Sequence, residues 1–193
     1  MFPQRPRSRR LILVAVVVLA ALAVPLAGGR LGALIELRLR RVWAIFAALA
    51  LQVAALDLPG LPEGARAVLV VASYPVGTLF LAANWRVPGM RLVALGGALN
   101  LAAICANGGV MPAAPSALAG AGLPPDAPGF QNSAAVADPR LAFLGDVFYV
   151  PASWPLSSVF SVGDVLIALG VAWALHRVSG SRLAPPWAPP PAP

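Results

Sequence analysis

The sequence predicts an all-α, polytopic membrane helix bundle of about five spans, with an amphipathic surface helix and one long structured loop. Three observations carry this prediction. Of the 193 residues, 59% are hydrophobic and only 11% charged, with a mean hydropathy of +0.80, whereas a soluble domain carries about 25% charged residues. The apolar residues come in long unbroken blocks separated by arginines, which is the pattern of spans rather than of a buried core. All the basic residues are arginines, and they gather at the block ends, where charge sets orientation across a bilayer.

The net charge of +7 would suit nucleic acid if the arginines clustered on one soluble face. Their placement at span ends argues against a nucleic-acid partner and for the lipid bilayer. Cys105 is the only cysteine and His176 the only histidine, so no intramolecular disulfide and no zinc set is expected. Cys105, inside an apolar run, is expected to be a small buried residue. No phosphate-binding, zincin or nucleophile-elbow motif is present. The sequence therefore leans away from an enzyme, and no cofactor or metal is expected.

Residues 1–10 form a basic tail with Arg5, Arg7, Arg9 and Arg10. A membrane domain follows over 11–177, with spans at about 11–27, 42–58, 67–83, 92–106 and 159–176. The first apolar run is long for the core of a signal peptide and is read as a retained span. Gly28 and Gly29 break it. Over 30–41, Leu31, Ile35, Leu39 and Val42 form one helical stripe, with Arg30, Arg38 and Arg41 on another side. This predicts a basic helix lying on the membrane surface, the plainer alternative being a solvated linker. Trp43 and Trp85 are placed as interface anchors, and a kink is expected at Pro75. Gly96, Gly97, Ala98, Ala102 and Ala106 give the fourth span small faces for close helix approach. The spans cover roughly 22–26 Å against about 30 Å of hydrocarbon. Residues 178–193 are expected to be a disordered Pro-rich tail.

The long loop, 107–158, carries the candidate site. Ser161-Val162-Gly163-Asp164 has the form of a capping box. Asp164 lies roughly 18 Å from His176 along the helix, short of the full membrane thickness. An acid at that depth is either a helix cap or a functional group. Asn107, Asp146, Ser161 and Asp164 are a candidate ligand-binding or structural polar cluster, able to hold a cation or a polar headgroup. Asn107 also suits a plain helix C-cap. Asn100 and Gln52 are intramembrane polar residues, and Asn100 is expected to bond another span, with Gln52, Ser73, Tyr74 and Thr78 as candidate partners.

At Gly28–Leu31, Asn107–Pro112, Phe143–Asp146 and Phe160–Ile167 the chain resembles a bacterial integral-membrane family of unknown function. That family is similar in G-G-R-L, N-G-G-x-M-P, F-L-G-D and F-S-x-G-D-V-L-I, and the resemblance covers roughly residues 15–176. Where the family has a histidine, or a lysine-histidine pair, midway in its loop, this chain has Gln131-Asn132-Ser133, and the family tends to lack the arginine-rich tail. The resemblance implies fold and membrane location and transfers no activity.

The function expected is that of a small non-enzymatic binding or accessory component of a membrane process, with a partner membrane protein or a second copy as partner. The alternative is a transporter or channel subunit with a polar path at Asp164 and Asn100. Arginines alternate high and low along the connections, so the C-terminus is expected to be cytoplasmic and loop 107–158 outside. The four-arginine tail dissents. A start near Val14, or an incomplete first crossing, would remove the conflict.

Overall fold

The computed structural model describes residues 8–125, 133–154 and 156–185, with side chains from Ala15 onward. Most of the basic tail's residues, 1–7, and the proline-richest part of the C-terminal tail, 186–193, lie outside the described residues, as do Gln131 and Asn132.

The chain is mostly helical. Helix α1 (Ser8–Leu26) is followed by the short α2 (Gly32–Ile35), α3 (Val42–Asp57), α4 (Glu63–Ala83) and α5 (Met90–Ala106). A folded cap comes next, with strand β1 (Met111–Pro112), α6 (Pro115–Gly120), β2 (Ser133–Ala134), a 3-10 turn at Ala142–Leu144, β3 (Phe148–Val150) and β4 (Ser158–Phe160). Helix α7 (Val162–Val178) leads out of it. Helix α4 is long and apolar enough by itself to cross a membrane, and shorter apolar helices run over Ala15–Leu26, Val42–Asp57 and Met90–Ala106.

The long helices pack in pairs. Helix α3 lies along α4 and α5 along α7, α1 rests on α7, and a shorter seam between α4 and α5 joins the two pairs. Arg66 seals the α3–α4 turn. Its guanidinium donates to the carbonyl oxygens of Ala55 at 2.5 Å, Leu58 at 2.7 Å and Leu61 at 3.0 Å, answering carbonyls that the end of α3 leaves open. Ala55, Val70, Ala103, Ile104 and Met111 form one core at this end.

Four expectations are corrected. The fold is not all-α, because the loop backbone pairs with itself. β1 and β2 run parallel, and β3 and β4 antiparallel with Phe148 opposite Phe160, whose rings stack 5.4 Å apart. Aromatic and β-branched residues in β3 and β4 favour pairing, which satisfies their backbone groups. The fifth long helix begins at Val162 rather than 159 for the same reason: Ser158–Phe160 is strand. The surface helix expected over 30–41 is only Gly32–Ile35. Asn84 holds the Arg40 backbone from both sides, accepting from its N–H at 2.9 Å and donating to its carbonyl at 2.8 Å, so the chain cannot close further helical turns there. Cys105 is exposed, because it continues the outward stripe of α5 marked by Leu92, Leu95, Ala98 and Ala102.

The helix ends define two faces. At one, Arg30 N–H donates to the Ser179 carbonyl and Arg182 N–H to the Ala27 carbonyl, each at 2.9 Å. Those bonds, with the Asn84–Arg40 clasp, gather segments 27–41, 84–91 and 177–185. Arg30, Arg38, Arg40, Arg41, Arg86, Arg91, Arg177 and Arg182 all lie in them. The tail expected from 178 is ordered at its start: Ser179, Ser181 and Ala184 are buried, and Ser181 Oγ lies 2.8 Å from His176 Nδ1. The cap and the α3–α4 turn occupy the other face.

Candidate functional site

The site sits where α7 leaves the cap. Ser161 is the N-cap of α7 in extended conformation, and its Oγ accepts from the Asp164 N–H at 3.0 Å. Asp164 Oδ2 accepts from the Ser161 N–H at 3.1 Å, closing the capping box that the sequence spacing predicts. Asn100, from α5, completes the node. Its Nδ2 donates to Asp164 Oδ1 at 2.9 Å, and its Oδ1 accepts from Ser161 Oγ–H at 2.8 Å. Ser161 is fully buried, Asn100 is 4% exposed and Asp164 7% exposed. A carboxylate at the first turn of a helix also complements the helix dipole.

Glycine makes the node possible. A Cβ on Gly163 would strike Asn100 Oδ1, and one on Gly96 would strike the Gly163 carbonyl oxygen. One heptad along, Gly89 and Gly170 oppose each other in the same way, a Cβ on either meeting the other's carbonyl oxygen. Two glycine pairs in antiparallel register thus bring the α5 and α7 backbones together, and Asn100 reaches the capping box only because they do.

The other candidates have different partners. Asn107 caps α5, its Nδ2 donating to the Ala103 carbonyl at 2.7 Å. It also clasps Arg140, donating to its carbonyl at 2.8 Å and accepting from its N–H at 2.9 Å. Asp146 is fully buried in the cap. Its N–H donates to the Pro112 carbonyl at 2.8 Å and its own carbonyl accepts from Ala114 N–H at 3.0 Å. Gln52 Nε2 donates to Ser73 Oγ at 3.0 Å, and the Ser73 hydroxyl donates in turn to the Val70 carbonyl at 2.6 Å. Asn100 therefore bonds across to Ser161 and Asp164 on α7, whereas Gln52 and Ser73 bond to each other.

Asn84 is the residue that sequence reasoning missed. It caps α4 as Asn107 caps α5, donating to the Phe80 carbonyl at 2.8 Å, and clasps Arg40 as Asn107 clasps Arg140. The residue after each clasped arginine, Arg41 and Leu141, adopts the same left-handed φ of 52° and ψ of 39°. The available signal is an asparagine ending an apolar run, which is also what marks Asn107.

The whole is a mostly helical protein of paired apolar helices with a folded cap, in which Asn100 bonds Ser161 and Asp164, and Gln52 bonds Ser73. The chain belongs to a family of unknown function, DUF5317, which its residues 36–176 match. It is similar to an uncharacterized protein of Thermotoga maritima, 34% identical over 104 residues. That alignment takes in 54% of this chain and 60% of the relative, so the chain spans about three-fifths of that protein's length. No solved structure matches it.

Proposed function

We propose that this chain is a five-span integral membrane protein with a non-enzymatic task, a binding or accessory component that displays its cap at one membrane face. The supporting observation is the outer surface of the long helices. Leu19, Phe46, Val68 and Leu169 are 64%, 66%, 66% and 55% exposed, while Gln52, Ser73, Asn100 and Asp164 point inward to partners. Water makes that distribution unfavourable and a bilayer makes it natural. Trp43, Trp85 and Trp173, all at least 41% exposed, stand toward the arginine-bearing face, as interface anchors do.

That face carries eight of the fourteen arginines, which supports a cytoplasmic C-terminus and an external cap. Of the remainder, Arg66 is occupied by carbonyl groups. The cap's exposed Phe143 and Trp154, 67% and 66% exposed, suit contact with the bilayer, a partner membrane protein or a second copy. A transport path along Asp164 and Asn100 has less support, because both carboxylate oxygens accept bonds inside a glycine-tight crossing.

The test is membrane extraction together with reporter fusions after Pro139 and after Arg182. The expected outcome is a chain that resists alkaline wash, with an external reporter after Pro139 and a cytoplasmic one after Arg182. Release by alkali removes the membrane reading. Reversed reporters would keep it and invert the orientation.

A further inference from the structure

The seam between α4 and α5 carries a feature that the polar node does not use. A mostly apolar groove of about 180 Å³ opens there at the arginine-bearing face, walled by Thr78, Leu81 and Ala82 of α4 and by Met90 and Ala94 of α5. Trp85 and Arg91 stand at its edge. The Arg91 and Arg86 guanidinium carbons lie 5.1 Å and 5.8 Å from the centroid of the Trp85 ring, so one indole gathers two cations. Trp85 is 51% exposed. Across α4, α5 and the connection between them the single acid is Glu63, in the first turn of α4 at the opposite face. The mouth is therefore positive, with no carboxylate beside it on these elements.

We propose that this groove binds one acyl chain of an anionic phospholipid, with the lipid phosphate held by Arg86 and Arg91 beside Trp85. The inference rests on the membrane reading above and adds a defined lipid site to it. The walls are mostly apolar and offer dispersion contacts; their one hydroxyl, on Thr78, already donates to the Tyr74 carbonyl of its own helix at 2.9 Å. The volume falls below the ~300 Å³ at which drug-sized sites begin, which suits a length of hydrocarbon chain. Arginine matches phosphate through its planar fork of donors, and a tryptophan at headgroup depth keeps that fork in place through cation–π contact. The groove also lies where the two tightly packed helix pairs meet along their shortest seam, so a chain seated in it would brace the joint.

The test uses the full chain purified in zwitterionic detergent, with phosphatidylglycerol, phosphatidylcholine or inorganic phosphate added. Native mass spectrometry reads bound lipid and thermal melting reads stability. Phosphatidylglycerol is expected to be retained and to raise the melting temperature, and the other two are not. Arg86→Gln with Arg91→Gln weakens retention about fivefold for each arginine removed. Ala82→Trp fills the groove and expels the lipid with both arginines in place. Arg30→Gln with Arg38→Gln removes the same charge from the same face and leaves retention unchanged. Equal retention of the two lipids, or equal loss in the Arg30/Arg38 variant, overturns the groove and leaves the membrane-embedded fold standing. A phosphate effect as large as that of phosphatidylglycerol overturns a lipid as occupant. A chain that stays dispersed in water without detergent removes the membrane reading itself.

Discussion

Asp164 shows how one side chain joins two elements. Its oxygens bond Asn100 of α5 and the Ser161 backbone of α7, so Asp164→Ala removes a cap and strands two buried donors. The expected loss is about 2–6 kcal/mol, at roughly 1–3 for each unsatisfied donor. Asp164→Asn, which keeps an acceptor oxygen, should lose less than half as much. Thermal melting in detergent checks both, and equal melting of Asp164→Ala and the parent would deny the node a structural role. Asn84 and Asn107 give a second comparison. Both make the same three bonds, but Asn84 is 4% exposed and Asn107 only half-buried. Asn84→Ala should therefore cost about 2–3 kcal/mol, and Asn107→Ala about 1, because water replaces lost bonds only at the exposed site. A larger loss at Asn107 would show that the arginine held there matters more than burial.

At the scale of helices, the α5–α7 crossing depends on glycine at four positions. Gly96→Ala should destabilise by roughly 2–3 kcal/mol, since its Cβ meets backbone that cannot move aside. Gly97, one residue on, has nothing within 4 Å of its would-be Cβ. Gly97→Ala should be neutral or stabilising by up to about 1 kcal/mol, alanine being the better helix former. The folded yields of the two variants, measured side by side, make the check. Similar losses would mean that helix flexibility, not close approach, explains these glycines. The sequence shows Gly96 and Gly97 as equals on one small face. Which of them touches a neighbour depends on the rotation of α5 about its axis, and the Gly163 and Gly170 positions of another helix decide that.

For the molecule as a whole, the ends of α1 and α7 are laced together by the 27–30 and 179–182 segments. Removing residues 186–193 should leave expression and melting unchanged. Ending the chain at Gly180 should lower stability by about 2–4 kcal/mol, because it deletes the Arg182–Ala27 and Ser181–His176 bonds and the buried Ala184. A proteolysis series from the C-terminus tests this, and tolerance of the Gly180 truncation would make the lacing decorative. The Pro-rich composition from 185 onward predicts a segment unable to continue a helix. It carries no sign that the few residues before it are tied to the end of α1.

Local patterning was legible where the cause is local. Apolar blocks predict the long helices to within a few residues, because continuous hydrophobicity excludes a water-exposed coil. Ser161 and Asp164 predict their own capping box, because its partners lie three residues apart. The cap's strands were not legible, since Phe148–Val150 and Ser158–Phe160 are short and acquire their conformation only by pairing. Asn100 was singled out as polar within an apolar run, yet its partners lie more than sixty residues away in sequence. Only the glycine-set approach of α5 to α7 selects Ser161 and Asp164 over Gln52 and Ser73. The sequence by itself determined which segments are apolar helices and where α7 is capped. Tertiary packing decided which polar groups meet, because a buried hydrogen bond depends on backbone separation, and that is a property of two elements at once.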